Sequence, residues 1–189
     1  MGLLDALFGR PRQIRPKLDN LFALPSALTT LREDLRLEPT GRAAIAYKPV
    51  TSSQFDRLRS EIEALLQASA RETQTTVRGQ ADKYGYQWIE LEDRDFEDLV
   101  TTLHMVSQSL EEQGFGGQLL ASVFTFRREE RPVYWIYNYK RGSFYPFAPT
   151  GEGRKRDNPL EIRLSNIMGK ELPVEEEQER WYPIWEPPV

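Results

Sequence analysis

The chain has no cysteine and a single histidine among its 189 residues. Without cysteine there can be no disulfide framework and no thiolate metal site. One histidine leaves little for acid–base chemistry, which needs placed partners. No run approaches the 18 or more apolar residues of a membrane span. Residues 1–9 are too short and wrongly flanked for a signal peptide, so the chain reads as cytoplasmic. There is no Gly-x-Ser-x-Gly elbow around any serine, and so no candidate for nucleophilic catalysis. GFGG at 114–117 follows a helix and precedes a strand, the reverse of the order a phosphate loop requires, and reads as a helix stop.

The composition is 39% hydrophobic and 29% charged, that of a globular protein of one domain's length. The net charge of −4 is unevenly spread. Residues 1–17 carry Arg10, Arg12, Arg15 and Lys17 against Asp5 alone, whereas residues 170–189 carry two basic and six acidic side chains. A basic start can attract anionic surfaces, while the acidic end and a pI near 5.3 argue against nucleic acid as a partner.

Aromatic residues are plentiful, and they are concentrated. Residues 119–149, LLASVFTFRREERPVYWIYNYKRGSFYPFAP, place apolar side chains at alternate positions, with turn-like breaks at RREER and KRG. This is the pattern of an antiparallel sheet. Upstream, Leu28, Leu31 and Leu35 recur at helical spacing after Pro25, with Pro39 and Gly41 closing the segment. AAIAYKPV (43–50) reads as a strand. Ser52 or Ser53 then caps a helix with Phe55, Leu58, Ile62, Leu65, Leu66 and Ser69 on one face. Strands follow near 75–80 and 86–92, with Asp82 and Gly85 in the turn. Asp95 caps a second helix whose stripe is Phe96, Leu99, Val100, Leu103, Val106 and Leu110, stopped at Gly114. Residues 158–169 form a third, with Leu160, Leu164, Ile167 and Met168 inward. Short links between the strands imply antiparallel pairing. The expected architecture is α+β, a mostly antiparallel β-sheet with amphipathic helices packed on one face.

The residues single out few sites. His104 lies beside the apolar stripe of the second helix, and a structural hydrogen bond explains it better than a general base assisted by Asp98 or Glu111. DRDFED is a helix start, where carboxylates offset the positive end of the dipole, and lacks the spacing of a calcium loop. No catalytic, metal or cofactor residue is expected, and the protein reads as a non-enzyme. Contact residues are expected at the two ends. MGLLDALFGR places Leu3, Leu4, Leu7 and Phe8 on one side of a piece too short to be stable alone, followed by a basic linker with Arg10, Arg12 and Arg15. At the far end RWYPIWEPPV carries Trp181 and Trp185 among prolines, a segment that packs on the body or on a partner, including a sister subunit. The chain thus divides into a leader and linker (1–17), a body (18–170) and an acidic Pro/Trp-rich tail (171–189).

The strings MGLLDALFG, LFALPSA, DKYGYQWIELEDRDFEDLV, LEEQGFGGQLLASVFTF, YKRGSFYPFAP, RDNPLEIRL and ELPVEEEQERWYPIW together resemble the PspA-associated protein PspAB family of bacteria and archaea. The resemblance spans nearly the whole chain. It implies a companion of PspA, a phage-shock protein that assembles as coiled coils on stressed membranes, and no enzyme activity. The order of helices and strands also resembles the chaperone-like topology of type III secretion chaperones and YbjN-type proteins. Three readings follow: an adaptor or regulator that contacts a PspA-like protein, a membrane-surface module acting through the leader, or a small-ligand module with a pocket between sheet and helices.

Overall fold

Strand-period and helix-period segments alternate along this chain; short links join most neighbouring strands, while the first strand pairs only with strands remote from it in sequence. The computed structural model describes residues 17–73 and 75–189; the side chains at positions 65 and 68–73, Leu65 and Ser69 of the expected stripe among them, lie outside the description. A 3-10 turn (Leu18–Phe22) leads into α1 (Ala23–Ser26) and α2 (Leu28–Glu33). Then come β1 (Glu38–Tyr47), α3 (Ser53–Thr73), β2 (Thr76–Ala81), β3 (Gln87–Glu92) and α4 (Phe96–Glu112). The chain continues with β4 (Leu119–Arg128), β5 (Arg131–Asn138), β6 (Ser143–Phe147) and α5 (Asn158–Met168). The strands form one sheet in the order β2-β3-β1-β4-β5-β6, every neighbouring pair antiparallel. The architecture is α+β.

Side chains alternate across this sheet and build two separate cores. On one face Ile45, Phe124, Phe126, Trp135, Tyr137 and Phe144 pack with the apolar stripes of the helices. Phe96, Leu99, Val100, Leu103, Val106 and Leu110 of α4 are all buried there, as are Leu164 and Met168 of α5. Phe55, Leu58, Ile62 and Leu66 supply the described part of the α3 stripe. Tyr139 is also buried, and its hydroxyl sits 2.5 Å from Ser107 Oγ and 2.7 Å from Ser122 Oγ, so three buried polar groups satisfy one another. On the other face lie Ala44, Ala46, Ala121, Val123, Tyr134, Ile136, Tyr145 and Phe147, and no helix among the described residues covers them. Trp181, Ile184, Trp185 and Val189 of the tail do so instead.

The caps agree with the residues. Ser52 Oγ accepts from the N–H of Phe55 at 3.1 Å, and Asp95 Oδ1 accepts from those of Glu97 (2.8 Å) and Asp98 (3.2 Å). Gly114, at φ 84°, ends α4 as a left-handed stop.

One boundary differs from the sequence reading. Pro39 and Gly41 do not close a helix; α2 ends at Glu33, and both residues lie inside β1, which starts five residues earlier than expected. Arg36 takes the left-handed stop at φ 55°, and the N–H of Leu37 reaches back to the Leu31 carbonyl at 2.8 Å. The pairing of β1 with β4 shifts register between Pro39, opposite Phe126, and Arg42, opposite Thr125, so Thr40 and Gly41 form a bulge just past Pro39. Gly41 is required there: φ is 74°, and a Cβ would overlap the carbonyl oxygen of Asp93.

The two edges of the sheet are unlike. Beyond β6, the backbone of Phe144 donates to Pro173 and accepts from Glu175, both at 2.8 Å, so the segment after α5 lies along that edge. Among the described residues β2 pairs with β3 alone.

Candidate interaction cleft

A cleft of about 1170 Å³ opens on the face that the helices leave uncovered, at the end of the sheet where β2 turns into β3. A row of register partners crosses its floor: Trp88 faces Ala46, Ala46 faces Ala121, and Ala121 faces Asn138. Alternation puts all four on the same face, and the two alanines make the middle low. Between β1 and β4 the register shifts again after Ala46, next to Leu120 on the cleft wall.

The β2–β3 hairpin tip forms one wall. Asp82 organises it: Oδ1 accepts from the N–H groups of Tyr84 (2.8 Å) and Tyr86 (3.0 Å), and Oδ2 accepts from the Trp88 indole at 3.1 Å. The slight burial of this carboxyl would raise its pKa, but the donors from Trp88, Tyr84, Tyr86 and Gly85 outweigh it and hold the group below the usual carboxylate range. Gly85 supplies φ 85° at the turn. The consequence is a rigid tip that presents Tyr84, 68% exposed, and Tyr86 to solvent.

The tail forms the other wall and is held at Trp181 and Tyr182. Arg156 donates from Nη1 to the Trp181 carbonyl at 2.6 Å and pairs through Nε and Nη2 with Glu161, at 3.1 and 2.9 Å. Glu161 is 2% exposed and also accepts from the N–H of Ala148 at 2.7 Å. Burial pushes the Glu161 carboxyl up, Arg156 and the Ala148 N–H pull it back, and the balance stays above the ordinary glutamate value. The Tyr145 hydroxyl donates to the Tyr182 carbonyl at 2.9 Å, and the Trp181 indole donates to the Glu175 carbonyl at 2.9 Å. Past this clamp, Tyr182 (60% exposed), Ile184 and Trp185 line the cleft, with Trp185 edge-on to Phe147 at 5.0 Å. Glu186 reaches Lys83 of the hairpin tip at 4.0 Å, the one ion pair among the described residues that joins the two walls.

Trp181 is therefore a buried packing residue of the body, and Trp185, half-buried, keeps a surface in the cleft. Leu3, Leu4, Leu7, Phe8, Arg10, Arg12 and Arg15 lie outside the described residues. His104 is half-buried on α4, with Nε2 3.3 Å from Asp19 and its ring 4.7 Å from Phe22, and it does not line the cleft. Between sheet and helices, where the small-ligand reading would put its pocket, lies a gap of about 10 Å³ lined by residues such as Tyr47, Phe55 and Ile62. Among the described residues no three His, Asp or Glu side chains gather as a metal site, and no helix is long and apolar enough to cross a membrane. Sequence reading missed the Arg156–Glu161 clamp. Its one signal was a glutamate, four residues after the capping Asp157, on the same helical side as Leu164 and Met168.

Fold and cleft define a single-sheet α+β protein with one face closed by helices and an aromatic cleft on the other. The chain belongs to the PspA associated protein B family (PspAB), whose profile matches residues 1–189, its whole length. No curated protein and no solved structure matches it.

Proposed function

We propose that this protein is a non-enzymatic adaptor or regulator that contacts PspA in the response to membrane stress. The observation that carries the reading is the family match across the whole chain, since the family's name records association with PspA. The character of the cleft supports it. It presents exposed Tyr84 and Tyr182 and half-buried Trp185, aromatic residue types enriched at contact surfaces. Asp82 and Glu161 are held by internal donors and serve the architecture of the two walls.

Co-purification with the PspA-like protein of the same organism tests the proposal, with full-length protein and with a form lacking residues 1–17. A complex at micromolar concentration is expected for the full-length chain. Failure of both forms to associate rejects the reading. Liposome flotation of the same two forms tests whether the leader adds a lipid contact: one short apolar side gives only marginal affinity, so flotation of the full-length form alone would assign it to residues 1–17.

A further inference from the structure

We propose that residues 183–189 are a strap that swings off the sheet about the Tyr182–Pro183 junction and so controls access to the apolar face beneath it. The first argument is a break in bonding at one peptide. Up to Tyr182 the tail is tied repeatedly. The N–H of Glu175 donates to the Phe144 carbonyl, and those of Arg180, Trp181 and Tyr182 donate to the carbonyls of Glu177, Gln178 and Arg180. Arg156, Tyr145 and the Trp181 indole add side-chain bonds at the same place. From Pro183 to Val189 there is no hydrogen bond among the described residues, where about one per residue is usual. Pro183, Pro187 and Pro188 have no N–H to give, so the run of bonds stops where the sequence stops supplying donors.

The second is what holds the strap down. Ile184, Trp185 and Val189, each half-buried, pack on the sheet face. At the far end Glu186 meets Lys83 at 4.0 Å, between side chains 83% and 63% exposed. A pair this exposed is weak and screened by salt. Glu186 also takes φ 55°, a left-handed conformation that is costly for a residue with a Cβ and that release would relieve. On its cleft side the strap borders open space, so a sideways swing meets no packed wall.

The third is what lies beneath. Ala44, Val123 and Ile136 are fully buried on this face and do not line the cleft. Apart from sheet residues, the described members of their cluster are Trp181, Ile184, Trp185 and Val189. Trp181 stays pinned to the body, so lifting the strap bares apolar sheet surface and leaves the core under the helices untouched. The face is withheld in the closed form and offered in the open one.

The chain has no cysteine, so a single introduced thiol reports alone. Ala43 and Ala44 are fully buried neighbours in β1, the first on the helix face and the second on the strap face. Full-length protein carrying Ala43→Cys or Ala44→Cys is treated with excess DTNB under native conditions, with the native pair, with K83E and with K83E/E186K. The thiol at position 44 should react at least about tenfold faster than that at 43, which is reached only by global unfolding. K83E should speed position 44 by about two- to fivefold, the weight of one exposed ion pair, and leave position 43 unchanged. The charge swap should restore the slow rate, and its failure to do so would overturn the latch. Equal rates at the two positions, or a K83E effect on both or on neither, would overturn the strap. Should a cysteine upset cooperative unfolding, 5-fluorotryptophan NMR decides with the sheet face unaltered. K83E should shift or broaden the Trp185 resonance, assigned by its loss in Trp185→Phe, and leave that of Trp181 in place. Both resonances moving together, or neither moving, would count against the strap, and none of these readouts depends on PspA binding.

Discussion

The two faces of the sheet share strands and register, yet the helix face packs around a gap of about 10 Å³ and the other holds a cleft about a hundred times larger. Side-chain size and the nature of the cover explain the difference. Facing the helices, Ile45, Phe124, Trp135 and Tyr137 are bulky, and amphipathic helices bring apolar side chains at a spacing that interdigitates with them. Facing away, Ala44, Ala46 and Ala121 are small, and the cover is an irregular chain pinned at Trp181 and Tyr182 and without a backbone hydrogen bond, among the described residues, from Pro183 onward. A periodic element closes a surface; an irregular one crosses it and leaves space beside it.

Substitutions should separate the faces by magnitude. Trp135→Ala, at a fully buried site on the helix face, should cost about 3–5 kcal/mol in urea unfolding, whereas Trp185→Ala should cost under half of that. Equal costs would erase the distinction. Arg156→Ala should come next, at about 3 kcal/mol near neutral pH, because it strands a buried carboxylate. Its pH dependence has a definite sign. The folded protein raises the Glu161 pKa, so the stability linked to its proton is complete below the ordinary glutamate value and is lost as pH rises through the raised one. Without Arg156 the pKa rises further, so the variant's penalty should shrink as pH is lowered toward 4, and a penalty that grew on acidification would contradict the clamp.

A matched pair tests the comparison most directly. Ala43 and Ala46 lie in the same strand on opposite faces. Ala43→Leu should destabilise by about 1–3 kcal/mol through overpacking, and Ala46→Leu, beside open space, by about 0.5 kcal/mol or less. Tyr139→Phe should cost about 1 kcal/mol at neutral pH, because it removes the hydroxyl that the Ser107 and Ser122 hydroxyls share, while Ser107 keeps its bond to the Leu103 carbonyl. Burial, only partly offset by those hydroxyls, pushes the Tyr139 pKa up to about 12, so its contribution is complete below pH 10 and is lost between about 10 and 12. Tyr137 and Tyr145 are raised by burial as well, and the variant should keep their share of the alkaline loss while its unfolding free energy falls less steeply over that window.

Helices and strands were legible where period and caps agreed. Asp95, the α4 stripe and the RREER turn all stand where the residues place them. The start of β1 was not, because Pro39 and Gly41 are local stop signals that a distant contact, the Asp93 backbone, turns into a bulge. The cleft had no local signal either. It depends on a strand order that brings Tyr84, Ala121 and Trp185 together from three remote segments. Alternation announced a two-faced sheet, but not that the irregular tail, rather than a helix, would lie over the second face.

The unequal edges bear on how far copies of this chain could polymerise. β6 is already occupied along its outer side by residues 173–175, and β2 has no strand beyond it among the described residues. Were copies to join edge to edge, β2 against β2 about a two-fold axis would satisfy both, and nothing would be left to add a third. The sheet carries its own chain terminator, so growth into a fibre by this route stops at a pair.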